Sequence, residues 1–227
     1  MISEGQRRAG RMFRGGVLVV PLLLVGVWLW TRSARTPSRF DDALDRALLP
    51  VMQQSEVQHK LGAATSTQAR LLARELAERS VPYLGARDLE LWAATRARVA
   101  RGARASCAHL WKGGDDAFLG PAIVALGPAE LEAYAQMLAR ALALRLERKP
   151  PPAVSTSAIE QAFAAIAAQL PADARLAFEA DAKRKDVSDA RACELFLTLA
   201  SGAEKLEPTL RADFYRALAA ALEVAPQ

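Results

Sequence analysis

Residues 15–30 read GGVLVVPLLLVGVWLW, a run with no charge and no strongly polar side chain. A bilayer-spanning helix needs about 20 apolar residues, with about 17 as the lower limit. Extended through Thr31, the run stands at that limit. Trp28 and Trp30 close it at the end where indole rings favour the headgroup level. Pro21 is tolerated inside a membrane helix, and local thinning of the bilayer accommodates a short span. The rest of the chain is read outward from this stretch, as a membrane anchor followed by an independent domain.

A cleaved signal peptide is the rival reading. Arg7, Arg8, Arg11 and Arg14 supply its basic start, but a cut after Ala34 would place Arg32 where a small residue is required. No cysteine follows the run, which excludes a lipoprotein. The expectation is an uncleaved signal anchor at 15–31 that meets the lipid bilayer, behind a short basic cytoplasmic tail at 1–14. Four arginines precede the span and three follow it (Arg32, Arg35, Arg39). The bias toward a short arginine-rich N-terminal tail inside places the following domain outside, in the periplasm of a bacterial inner membrane.

The overall charge of +5 and pI near 9.6 invite a nucleic-acid reading. Position removes it. Of 30 basic and 25 acidic residues, seven and one fall within 1–39, leaving 23 and 24 for the remainder. The basicity belongs to the membrane flanks, so no nucleic-acid partner is expected. One local cluster remains, Arg87, Arg96, Arg98, Arg101 and Arg104, which spreads over a broad helix face and reads as solvated.

Alanine and leucine dominate an apolar fraction of 52%, and aromatics make up 6%. Strong helix formers with few β-branched or aromatic residues predict an all-α fold. The expected architecture is a single transmembrane helix and a multi-helix bundle, with a finer division into two tandem copies of three to four helices. A juxtamembrane linker and helix occupy 32–66. That helix carries Leu44, Leu48 and Leu49 and is expected to break or kink at Pro50. The first copy spans 67–147: a helix with Leu72 and Leu76 facing inward, a long helix from Ala86 to about Lys112 loosened at Gly102, and a helix opened by Pro128 with Leu131, Tyr134, Leu138 and Leu142 at core spacing. Residues 148–155 form a linker around Pro150–Pro152. The second copy, 156–224, holds helices with Ile159, Phe163 and Ile166, with Leu176 and Phe178, with Cys193, Phe196 and Leu199, and with Leu210, Phe214, Leu218 and Leu222 inward.

The copies align. At an offset of 86, Trp92 falls on Phe178, Cys107 on Cys193 and Leu110 on Phe196; at 80, Pro128 falls on Pro208 and Tyr134 on Phe214. Alanine- and leucine-rich helices align cheaply, whereas the two cysteines are the only two in the chain. An even cysteine count, an oxidising compartment and matched positions predict a Cys107–Cys193 disulfide. Two buried free thiols are the alternative.

No catalytic or cofactor site is expected. There is no Cys-x-x-Cys, no serine in a glycine-flanked elbow and no phosphate-binding glycine loop. Cys107 and His109 are two apart and cannot share a metal from one helix. The reading is a non-catalytic protein-interaction or tethering module with a protein partner in the envelope. Its alternatives are a small-molecule or lipid-binding helical domain and an uncharacterised enzyme. A contiguous apolar cavity between the halves would favour the small-molecule or lipid reading, and a close-packed core the tethering one.

Overall fold

A computed structural model describes residues 39–61, 63, 65–112, 122–123, 126–147, 150–154, 156–184 and 186–224. The predicted span at 15–31, the tail before it and most of the crossing after Lys112 lie outside the described residues. Among the described residues the fold is all-helical, and no helix is long and apolar enough to cross a membrane.

Ten α-helices follow one another among these residues. They are α1 (Arg39–Met52), α2 (Ser55–Leu61), α3 (Thr67–Glu78), α4 (Ala86–Gly102), α5 (Arg104–Lys112), α6 (Pro128–Leu146), α7 (Thr156–Ala168), α8 (Ala172–Asp181), α9 (Asp189–Ala203) and α10 (Pro208–Val224). A 3-10 turn, Val81–Tyr83, joins α3 to α4. Helix α1 packs along α6, and α3 lies against both. Helix α5 packs along α9, while α7 and α10 pack on each other. Helix α4 touches α5, α6, α9 and α10, so it belongs to both groups. That role explains why Leu89, Trp92, Thr95, Arg96, Ala97, Val99 and Ala100, which point in several directions, are all buried.

Caps and breakers set the helix ends. The hydroxyls of Ser66 and Ser188 accept the backbone N–H of Ala69 and Arg191 at the starts of α3 and α9, a stabilisation of about 1 kcal/mol each. Pro128 and Pro208 each open a helix at a position that has no N–H to satisfy. The Glu130 carboxylate accepts from the Gly127 N–H at 3.2 Å, and Glu207 accepts from Thr209 and Leu210.

Four local expectations are corrected. Pro50 neither ends nor splits its helix: α1 continues to Met52, and the interruption falls at Gln53–Gln54. The missing N–H costs one bond in the last turn, while continuation buries Val51 and Met52. The long helix is two helices, separated at Ala103, whose extended backbone (φ −142°, ψ 96°) turns the chain directly after Gly102. Helix α3 buries Ala69, Ala73 and Ala77, packs Leu76 against the core partly buried, and leaves Leu71 and Leu72 exposed. A methyl-only face permits close approach to α1, and Arg74 fixes the rotation. Its Nε and Nη2 donate to Asp45 at 2.6 and 2.7 Å, and its Nη1 donates to Asp41 at 2.8 Å. Leu176, expected inward, is 71% exposed, because short α8 buries only Phe178.

The turn between α3 and α4 is held from two sides. Arg216 of α10, only 7% exposed, donates to the carbonyls of Pro82 and Leu84 at 3.3 and 3.2 Å. Arg145 of α6 donates to the Arg79 carbonyl at 3.0 Å and lies over the Tyr83 ring. Near its end α9 presses on α7 so closely that a Cβ on Gly202 would stand 2.6 Å from Ile166 Cγ2. Glycine is required there by space.

Candidate functional site

Three helices leave a gap. Alanines at 93 and 97 on α4, at 200 on α9 and at 221 on α10 line the same space. The helices do not close up over these methyls, and volume is left between them. The result is a cavity of about 890 Å³, inside the 300–1,000 Å³ range of small-molecule sites. It lies between α4 and α5 of the first half and α7, α9 and α10 of the second.

Its walls are largely apolar. Trp92, Leu110, Phe163, Phe196, Phe214 and Leu218 supply most of the large surfaces. Phe163 meets Phe214 edge-on at 5.9 Å and stacks with Phe178 at 6.2 Å, which makes a rigid aromatic end wall. One stripe of α10 faces the space, with Arg211, Tyr215 and Leu218 at helical spacing.

Charged groups gather at two places. In the first, Arg211 Nη2 meets Glu90 Oε1 at 2.5 Å and Nη1 donates to the Glu204 carbonyl at 3.0 Å. The Nε of Arg211 is buried without a hydrogen-bond partner. Tyr215, one turn on, is 5% exposed. Burial pushes its phenol up to about 12; the Arg211 charge opposes this, and Glu204 and Glu90 reinforce it. In the second place, Lys112 and Asp189 pair at 2.6 Å, and the hydrogen bond and charge of Lys112 hold that exposed carboxyl below its ordinary range. Arg184 there is pushed above its usual value by its hydrogen bonds to Asp186. Lys183 completes that rim.

The structure joins Cys107 and Cys193 as a disulfide, with Cα atoms 4.9 Å apart. The bridge links α5 to α9, and both helices contribute wall residues to the cavity. Of the basic cluster, Arg87, Arg98 and Arg101 are exposed as expected of a solvated face, and Arg96 departs from it. Arg96 is 6% exposed, with its guanidinium 4.9 Å from the Trp92 ring centroid on the cavity side. Arg98 pairs with Glu130 and Arg101 with Glu204. Among the described residues, no group of three or more His, Cys, Asp or Glu is placed to hold a metal.

Sequence reasoning missed Glu90, Arg211 and Tyr215. The signal for the last two was an arginine and a tyrosine four apart on an apolar stripe. Nothing local signals Glu90, which lies 121 residues from its partner. No protein-family model, curated protein or solved structure matches the chain.

Proposed function

We propose that this chain is a non-catalytic binding protein of the bacterial inner membrane, held by the span at 15–31, whose periplasmic helical domain takes up a small apolar or lipid-like molecule between its two halves. The observation that supports this reading is the cavity of about 890 Å³ with an aromatic end wall. Pockets of this kind combine apolar lining with a few placed polar groups. The charges on the rim are engaged with one another, Arg211 with Glu90 and Lys112 with Asp189. That favours binding over proton transfer.

The tethering reading draws on exposed Leu71 and Leu72 on α3. Scattered exposed leucines are ordinary on protein surfaces, so it ranks second. The proposed duplication fits the cavity's position between copies and the matched places of the two cysteines.

Full-length protein held in amphipol tests the reading. The apolar dye N-phenyl-1-naphthylamine should bind saturably, one per chain, with a rise in fluorescence. Ala200→Phe, which fills the space from α9, should abolish that uptake while the protein keeps its helical content. Equal uptake by both proteins, or none by the parent, refutes the proposal.

A further inference from the structure

Among the described residues, five basic side chains line the cavity against two acidic ones. Both acids are already met by cations. Glu90 pairs with Arg211 at 2.5 Å and Glu204 with Arg101 at 3.7 Å, and Arg101 stands outside the lining. Away from that place, Lys112, Lys183 and Arg184 belong to the lining, and the carboxylates of Asp186 and Asp189 that pair with Arg184 and Lys112 do not. Those two carboxylates are well exposed, so a molecule inside the cavity meets the cations first. Lys183 makes no ion pair or hydrogen bond among the described residues. Exposed ion pairs contribute little to stability, so Lys112 and Arg184 can turn to a new anion at small cost. All three reach the surface. An anionic head placed among them keeps part of its hydration and escapes the penalty of a buried charge. Behind them the walls offer only hydrocarbon and aromatic surface over most of their extent, with Leu110, Phe163 and Phe214 among the large side chains.

We infer that the cavity's ligand is an acidic amphiphile, a hydrocarbon chain ending in a carboxylate or a phosphate, whose anionic head stands at Lys112, Lys183 and Arg184 while its chain runs inward along Leu110, Phe163 and Phe214. This inference rests on the ligand-binding reading and adds the charge of the ligand and the end by which it is held. Such a molecule occurs equally as a free fatty acid and as an anionic lipid of the bilayer.

The test displaces N-phenyl-1-naphthylamine, a neutral dye, from full-length protein in a non-ionic amphipol. Three competitors of equal chain length are compared: laurate, methyl laurate and dodecyltrimethylammonium. Laurate should displace the dye best and the cation worst. Lys183→Glu should weaken laurate about fivefold, the upper end of what one exposed ion pair contributes, and leave methyl laurate unchanged. Asp189→Asn removes the carboxylate that competes for Lys112, so it should tighten laurate about twofold to fivefold and again leave the ester unchanged. Both side chains are exposed, and effects of opposite sign cannot come from a damaged fold. In about 1 M salt, where the screening length falls to about 3 Å, the lead of laurate over its ester should shrink. Failure of all three competitors overturns the cavity reading and this inference with it. Three results overturn the inference alone: methyl laurate or the cation binding as tightly as laurate, a laurate affinity unchanged in both variants, or one lowered in both. Native mass spectrometry of protein taken directly from membranes separates the sources. A co-purified acidic phospholipid mass supports a bilayer ligand, and a co-purified fatty acid, or an empty chain that takes up laurate, supports a free one.

Discussion

Replacing Cys107 and Cys193 together by serine should cost this domain a large part of its stability. The bridge joins residues 86 apart. In the chain-entropy treatment, closing a loop of that length removes about 4.6 kcal/mol of unfolded-state freedom. A domain of this size shifts its melting temperature by about 2–4 °C per kcal/mol, so the loss corresponds to roughly 9–18 °C. The effect should be local before it is global. Helix α5 has nine residues and follows the extended Ala103, and a helix that short is marginal without tertiary support. Residues 39–227 contain only two tryptophans, Trp92 and Trp111, and both line the cavity. Their emission should shift to the red at a lower temperature than the helical circular dichroism is lost. In the oxidised parent the two transitions should coincide. A double-serine variant that melts within about 3 °C of the oxidised parent, well short of the worked shift, refutes the argument. Complete alkylation of the unreduced, denatured parent would remove its premise.

Arg216→Met should destabilise the domain by about 3 kcal/mol, because the buried carbonyls of Pro82 and Leu84 lose a charged donor; a melt within experimental error of the parent would contradict this. Gly202→Val should be destabilising by about 1–3 kcal/mol through overpacking against Ile166, and Ile166→Ala in the same chain should recover part of that loss in a double-mutant cycle. Tyr215 should titrate near 12, well above an ordinary phenol, when tyrosinate absorbance is followed. A phenol raised in the folded state contributes stability that is complete below its unfolded pKa of about 10 and is lost as pH rises through the folded value; Tyr215→Phe should flatten that alkaline limb. At the other end of the scale, Asp189 is held low by Lys112. Its contribution is present above the ordinary carboxylate pKa of about 3.9 and fades as pH falls below it, so Asp189→Asn should reduce the acid sensitivity of unfolding.

The helical class was legible because it depends on local composition. So were the openings of α6 and α10, since Pro128 and Pro208 carry their meaning in one residue, and the buried stripe Leu131, Tyr134, Leu138 and Leu142 follows from spacing alone. The cysteine pair was readable from its count. What escaped depends on which of two apolar faces turns inward. On α3 leucines and alanines compete, and the winner is decided by Arg74 reaching Asp41 and Asp45 on another helix. Leu176 escaped for the same reason, its helix being too short to bury both Leu176 and Phe178. The burial of Arg96 required a helix packed on several sides, a tertiary fact that no basic cluster announces. The cavity was the least legible feature. It arises where alanines from helices far apart in sequence happen to face one another, and alanine reads as helix former and as core filler alike.

Those alanines also separate two properties that usually constrain each other. Ala93, Ala200 and Ala221 border empty volume, so a larger apolar residue at any of these three grows into space instead of into a neighbour. Single substitutions there can retune the size and shape of the cavity, while the contacts that hold the fold (the α1–α6 seam, the disulfide, the Arg216 carbonyl bonds) stay untouched. The shape of such a cavity can drift quickly under selection without passing through unstable intermediates. Descendants of this chain would then be expected to share its helices and to differ in the space between them.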